Sequence, residues 1–470
     1  MSNMESLNKI TVDRLSRLFD ENRKIIDGDG NPTIAAAREK AMGSFRATGF
    51  PSPKEEVWRN TDLTETFARD YVYHLNRQDP GDIRSVFRCN IPNFDTAVLG
   101  QLNGWTVSRD VPLMVLGNGM IMGSLSEAIR QFPQLVEPHL GKYSAAAKTG
   151  FTELNMAFAM DGIFIYVPDN VSGNKAVQMV NVIRHPDNLF LQTRNLIVLG
   201  KNSRLTLVHC DDSYNHQASF SNNVTEVFLN EGAEMDHYKL QSLNNSSTLI
   251  GSTFFRLEGS ASLESHFVSL TGGLLRNDIH VTLAGPHANA DIYGLYLMDR
   301  KQHIDNHVFV DHAAPHCTSN ERFRGILDEH ATGVFNGHVL VRPHSVGTSA
   351  YQGNKNILLT DTARIHSQPF LEIYNDDVKC SHGSSTGQLD AEAMFYLRQR
   401  GIGEENARML LMYAFADDIV NKIRIGPLRH RFEDMIKRRL QGELQICEQC
   451  VLHCSNPEKQ VDFYIDPTKI

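Results

Sequence analysis

The chain has 470 residues, and 46 Lys and Arg stand against 55 Asp and Glu, a net charge of -9. That balance offers no basic patch for nucleic acid, and no apolar run approaches the roughly 18 residues of a membrane span. Seven cysteines, four of them single (Cys89, Cys210, Cys317, Cys380), form no disulfide framework.

The start, MSNMESLNKI, lacks the apolar core of a signal peptide. The expected setting is the reducing cytoplasm. The length predicts about two or three domains, or one elongated body.

Residues 1–158 read as mostly helical. Val12, Leu15 and Leu18–Phe19 share one stripe at helical spacing, and Thr33–Thr48 is a second, Ala-rich helix ended by Gly49, Pro51 and Pro53. Trp58, one of two tryptophans, sits in the segment PSPKEEVWRNTDL and reads as a packing anchor. Short strands are expected at Val86–Arg88 and Ala97–Leu99. Helices are expected at Met122–Arg130, Phe132–His139 and Phe151–Met160.

Residues 159–388 change texture. Short β-branched and aromatic runs, beginning with GIFIYVP, alternate with turns. The turns start at Gly200, Glu231, Glu258, Gly285, Asp328 and Thr360, a loose recurrence of one supersecondary unit. The pattern predicts a parallel β-helix, a β-solenoid, with a β-sandwich as the competing arrangement. Helical crossovers of α/β type are absent.

The histidines crowd in this body. In QHIDNHVFVDHAAPHC, Ile304, Val308 and Val310 share one strand parity, and His303, Asp305, His307 and Asp311 share the other. The polar set therefore belongs outside the solenoid, as an exposed ladder or one buried against a partner chain. A zinc or iron site from His303, Asp305 and His307 is chemically open, and His316–Cys317 can join it. Asp305 and Asp311 also allow a β-helix enzyme with a carboxylate site.

Where the β texture ends, LEIYNDDVKCSHGSSTGQLD carries Cys380 and His382. Two residues apart on a strand, thiol and imidazole point the same way, and both suit iron, zinc or copper. A pair is an incomplete metal site, so its other ligands must come from elsewhere in the fold or from another chain. A small buried Cys beside a hydrogen-bonded His is the alternative.

Residues 389–470 read as helical. Asp390 can cap Ala391–Gln399 and Gly401 can close it. Two further helices follow, Glu404–Lys422 and Leu428–Leu444, the second with Arg431, Lys437, Arg438 and Arg439 on a solvated face. They form an amphipathic hairpin able to dock a protein. The tail CEQCVLHC places Cys447, Cys450, His453 and Cys454 at spacings that suit zinc or an Fe–S species, with a C-x-x-C redox pair or an unliganded tail as the alternatives. A stand-alone metal-binding protein using these cysteines is a further reading. There is no Walker loop, Rossmann fingerprint, G-x-S-x-G or H-E-x-x-H motif.

NERFRGILDEHATGVFNGHVLV, QGNKNILLTDTARIHSQPFLEIYNDDVKCSHGSSTGQLD and MLLMYAFADDIV resemble the SufB/SufD family of iron–sulfur cluster assembly proteins. The SPKEEVWRNTDL segment resembles its SufD branch. The resemblance implies a right-handed parallel β-helix between two helical regions. It implies a non-catalytic scaffold that pairs with a SufB-like subunit and binds a SufC-like ABC ATPase through its C-terminal helices. ATP hydrolysis then belongs to that partner. It also implies that His382, with Cys380 beside it, faces the paired subunit and helps take up transient iron or a nascent Fe–S cluster. The SufB branch has an HEA-type motif at this point and a cluster-building Cys upstream. Here Cys-Ser-His-Gly and Gly353–Asn354–Lys355 stand instead, so the chain should not build a cluster alone. No role carries over to the CEQCVLHC tail. A flavin enters only through the assembled complex, and an open β-helix edge favours a homodimer when SufB is absent.

Overall fold

The computed structural model describes residues 3–441 apart from 29, 78–93, 108–111, 148 and 174. The strand expected at Val86–Arg88 and the cysteines Cys89, Cys447, Cys450 and Cys454 lie outside the described residues, as does His453.

The centre is a parallel β-helix of about seven turns. Successive strands alternate between two sheets, and each pairs in parallel with the strand two places on. That alternation excludes the sandwich, whose sheets are antiparallel. The first sheet runs from Leu113–Val115 to Arg364–Ile373, and the second from Trp105–Val107 to Val378–Gly387. Inward residues of both sheets form one apolar core that includes Leu207, Phe255, Ile304, Val308, Val310 and Phe323.

One corner of every turn repeats a left-handed residue. Asn202, Gly232, Ser260, His287, His316 and Gly347 have φ of 50, 67, 56, 63, 59 and 69°. Each amide donates to a carbonyl of the next coil, as in Asn202 to Glu231 O at 2.9 Å and Ser260 to Pro286 O at 2.8 Å. The corners thus stack as a hydrogen-bonded ladder. Asn and Gly tolerate this backbone, and His and Ser are held there by the ladder.

The N-terminal helices Asn3–Glu21, Pro32–Thr48 and Gly150–Phe158 lie over the outer face of the first sheet. Asn31 caps the second, and Thr149 builds a capping box on the third. Phe45, Phe151 and Trp58 pack there with Phe190 and Phe220 of the sheet. The helix expected from Met122 starts later. Ile121–Ser124 is a strand paired antiparallel with Ile163–Val167, and the Ser124 hydroxyl caps the helix Leu125–Gln131. The next helix is confined to Pro133–Val136.

The C-terminal helices Glu404–Val420 and Gly426–Leu440 cover the outer face of the second sheet. Met412, Ile419, Phe432 and Ile436 meet Val208, Tyr238, Leu295 and Ile326. Burial of each such side chain contributes about 1.5–3 kcal/mol. Arg439 is not on a solvated face. Only 9% exposed, it donates to Leu270 O at 2.7 Å and to Asp299 Oδ2 at 2.7 Å.

Candidate functional site at the open end of the β-helix

Arg364–Ile373 and Val378–Gly387 are the outermost strands of their sheets. Cys380 and His382 lie on the second of these. Cys380 stands opposite Ala350, and His382 opposite Gln352. Cys380 packs with Ala350, Val339 and Val341 inside the last coil. The Ser384 hydroxyl donates to Ser367 Oγ of the other sheet at 2.8 Å. Positions 380, 382 and 384 therefore share the inward face. Cys380 is half-buried and His382 exposed, because no further strand of the described residues covers this end. Burial pushes the Cys380 thiol up, so a metal must displace its proton to bind it.

The interior turns polar in these last coils. Gln352 is 4% exposed and donates from Nε2 to Glu321 Oε2 at 2.8 Å. Burial pushes the Glu321 carboxyl up to about 8, and the Gln352 hydrogen bond opposes this only in part. Glu321 is therefore protonated at neutral pH. Ser367 donates to Asn354 Oδ1 at 2.9 Å.

The histidine run is arranged differently from the sequence expectation. Its parity is as read, with Ile304, Val308 and Val310 in the core. Its outer face, however, is neither an exposed ladder nor left bare for a partner. The chain's own Trp58 segment lies across it. The Arg276 guanidinium sits 3.6 Å from the Trp58 ring centroid, and donates to Val57 O at 2.9 Å and Asp305 Oδ2 at 2.6 Å. Thr61 donates to the same Asp305 oxygen at 2.5 Å and contacts His303 Nε2 at 2.9 Å. His307 Nε2 meets Asp305 Oδ1 at 2.9 Å. Burial alone would raise the Asp305 carboxyl, but Arg276, His307 and His303 outweigh it and hold it below the usual carboxylate range.

These contacts consume the proposed zinc or iron trio. They also consume the carboxylates of a β-helix enzyme: Asp305 is 1% exposed, and Asp311, at 3%, accepts two hydrogen bonds from Arg342. Nor does His316–Cys317 join them. His316 is exposed and stacked on His287 at 5.1 Å, while Cys317 is buried and donates to Gly285 O at 3.3 Å. Among the described residues, no three His, Cys, Asp or Glu side chains gather as a metal centre.

Asp390 caps Ala391–Gln399 as expected, accepting from the amides of Glu392 and Ala393. That helix buries no residue and leaves Phe395 63% and Tyr396 57% exposed. The last coils expose Tyr351, Phe370, Ile373 and Tyr374. No local motif singles out Gln352, Glu321 or Arg276. Only strand register brings the first two beside His382, and no local motif encodes register.

Residues 182–415 match the family described as "SUF system FeS cluster assembly, SufBD core domain", and residues 10–179 the "SufBD protein N-terminal region". An iron-sulfur cluster assembly SufBD family protein of Synechocystis is 27% identical over 424 residues, covering 88% of this chain and 93% of its own. The iron-sulfur cluster assembly protein SufD of Escherichia coli is 25% identical over 424 residues, 89% of this chain and 96% of its own. The Bacillus subtilis protein of the same name is 24% identical over 408 residues, 84% and 92%.

Proposed function

The chain belongs to the SufBD family of iron–sulfur cluster assembly proteins, and we propose that it works there as a non-catalytic, SufD-like scaffold subunit in the cytoplasm. The open end of its β-helix pairs with a SufB-like subunit. Its C-terminal helices bind a SufC-like ABC ATPase, and the hydrolysis of ATP takes place in that partner. His382 and Cys380 help to take up iron or a nascent cluster as cargo at the paired end. A flavin has a place only in the assembled complex.

The observation that carries this reading is the open end itself. Two outermost strands present unpaired backbone groups, a row that recruits another chain unless it is blunted. Around them stand exposed Phe370 and Tyr374, at 49% and 59%, and the Cys–His pair faces the same opening. Exposed Phe395 and Tyr396 give the ATPase partner an apolar foothold next to the helices that are already docked. No helix among the described residues is long and apolar enough to cross a membrane.

Co-expression with the SufB-like and SufC-like chains tests the pairing. The three are expected to co-purify, with no ATPase activity in this chain alone. Phe370→Asp with Tyr374→Asp should abolish pairing with the SufB-like subunit and leave the thermal midpoint of the isolated chain unchanged. Normal pairing by that variant would remove the open end from the reading. In the absence of the SufB-like chain, the same end is expected to form a homodimer.

A further inference from the structure

The outward side chains of the second sheet change sign along the β-helix. In the middle coils they are acidic: Asp236, Glu264 and Asp291 stand abreast on neighbouring strands. These carboxylates are matched within the chain. Arg424 reaches Asp236 at 3.3 Å and Glu264 at 2.6 Å, and the side-chain amides of Asn289 and Asn320 donate to Asp291.

Over the last three strands of this sheet, Thr318–Leu327, Thr348–Leu358 and Val378–Gly387, the sign reverses. Phe323, Ala350 and Cys380 point inward, so Arg322, Arg324, Lys355 and Lys379 point outward by alternation. None of the outward side chains of these strands is acidic. Arg324 is already engaged, donating to Asp418 Oδ2 at 3.1 Å and lying 5.3 Å from the Phe415 ring centroid. Arg322, Lys355 and Lys379 are exposed, and none of the three makes an ion pair among the described residues. Asp376 and Asp377, in the turn before Lys379, pair with none of them. Gly353 and Gly383 stand abreast in the middle, and a Cβ at Gly383 would meet nothing within 4 Å, so the face is bare.

Lysine on an edge strand can serve simply to blunt the edge. Here the unmatched charge reaches two strands back from the edge, to Arg322, in a chain whose net charge is -9. We propose that Arg322, Lys355 and Lys379 form a steering patch for an acidic face of the SufB-like subunit, drawing it toward the open end. The inference rests on the pairing assigned above to that end. Charges at the rim of an interface act on the association rate and its salt dependence more than on dissociation.

The test follows association of the full chain with the SufB-like subunit at low and high salt. Arg322→Glu, Lys355→Glu and Lys379→Glu together should slow association about tenfold or more at low salt, leave dissociation near the parent rate, and converge on the parent at high salt. The corresponding triple Gln variant should fall between. Unchanged thermal midpoints show that the fold is intact. If the Glu variant associates at the parent rate while Phe370→Asp with Tyr374→Asp does not pair, the steering patch is wrong and the open end stands. If every variant associates as the parent does, both fall. Slow association that persists at high salt means a lost contact and overturns steering. If the Glu variant pairs at the parent rate but no longer binds the SufC-like ATPase, the acidic partner is the ATPase and the assignment to the SufB-like subunit is wrong.

Discussion

His312 shows what burial does to one side chain in this interior. Its Nε2 meets Ser319 Oγ at 2.9 Å, its Nδ1 has no partner, and burial lowers its pKa to about 4. The unfolded imidazole takes up a proton near pH 6.5. Between there and about pH 4 the unfolded chain therefore binds more protons than the folded one. The stability contribution is complete above the unfolded pKa and falls by about 1.4 kcal/mol per pH unit as the medium is acidified through that window. His280 acts in the same direction, also at about 4. Glu321 acts oppositely: its raised pKa removes stability as pH rises from about 4.5 to about 8. Urea unfolding at a series of pH values should show a shallower acid slope for His312→Gln than for the parent. Equal slopes would mean that His312 is already charged in the fold.

At the scale of elements, the corner ladder explains both the success and the limit of reading turns from sequence. The step from Gly285 to Asp328 looked irregular because Asp328 lies on a different corner. It links the second sheet back to the first, between Thr318–Leu327 and Thr332–Val341, whereas the turns at Gly200, Glu231, Glu258 and Gly285 link the first sheet to the second. The true continuation is the turn after His303–His312, where His316 takes the left-handed position. Composition hid it, because the turn at residues 313–317 has no Gly or Asp to open it, although His316 repeats the left-handed His287 of the coil before.

Parity likewise placed Asp305 on the correct face but could not say what covers it. The covering segment is 244 residues away in the chain, at Thr61. That segment is anchored by Trp58, 2% exposed and stacked on Phe151 at 5.2 Å. Trp58→Ala should cost about 3–5 kcal/mol and make residues 51–63 cleavable by protease under native conditions. An unchanged denaturation midpoint with continued protection would show that Arg276 and Thr61 hold the segment without the indole.

Over the whole molecule, the two helical regions divide the work of covering a two-faced solenoid. The N-terminal helices take the outer face of the first sheet and the C-terminal helices that of the second. Cover thins at the last strands: the N-terminal region meets Arg364–Ile373 through Arg59, which donates to Gln368 Oε1 at 3.1 Å, and exposure rises along Arg364–Ile373 and Val378–Gly387. The order of helices, β-helix and helices was legible from periodicity, whereas the four short strands between Thr96 and Ser124 that open the two sheets lie inside the stretch read as mostly helical. The open end was half legible. Cys380 and His382 are neighbours in sequence, whereas Gln352 comes to stand abreast of His382 only through the register of two parallel strands.

The most direct measurement is the iron and labile sulfide content of the complex purified with its SufB-like and SufC-like partners, for the parent chain and His382→Ala side by side. A variant complex that assembles fully but carries several-fold less iron is the expected result. A variant complex with the parent's iron and sulfide would contradict the assignment of the open end as the place where cargo is taken up.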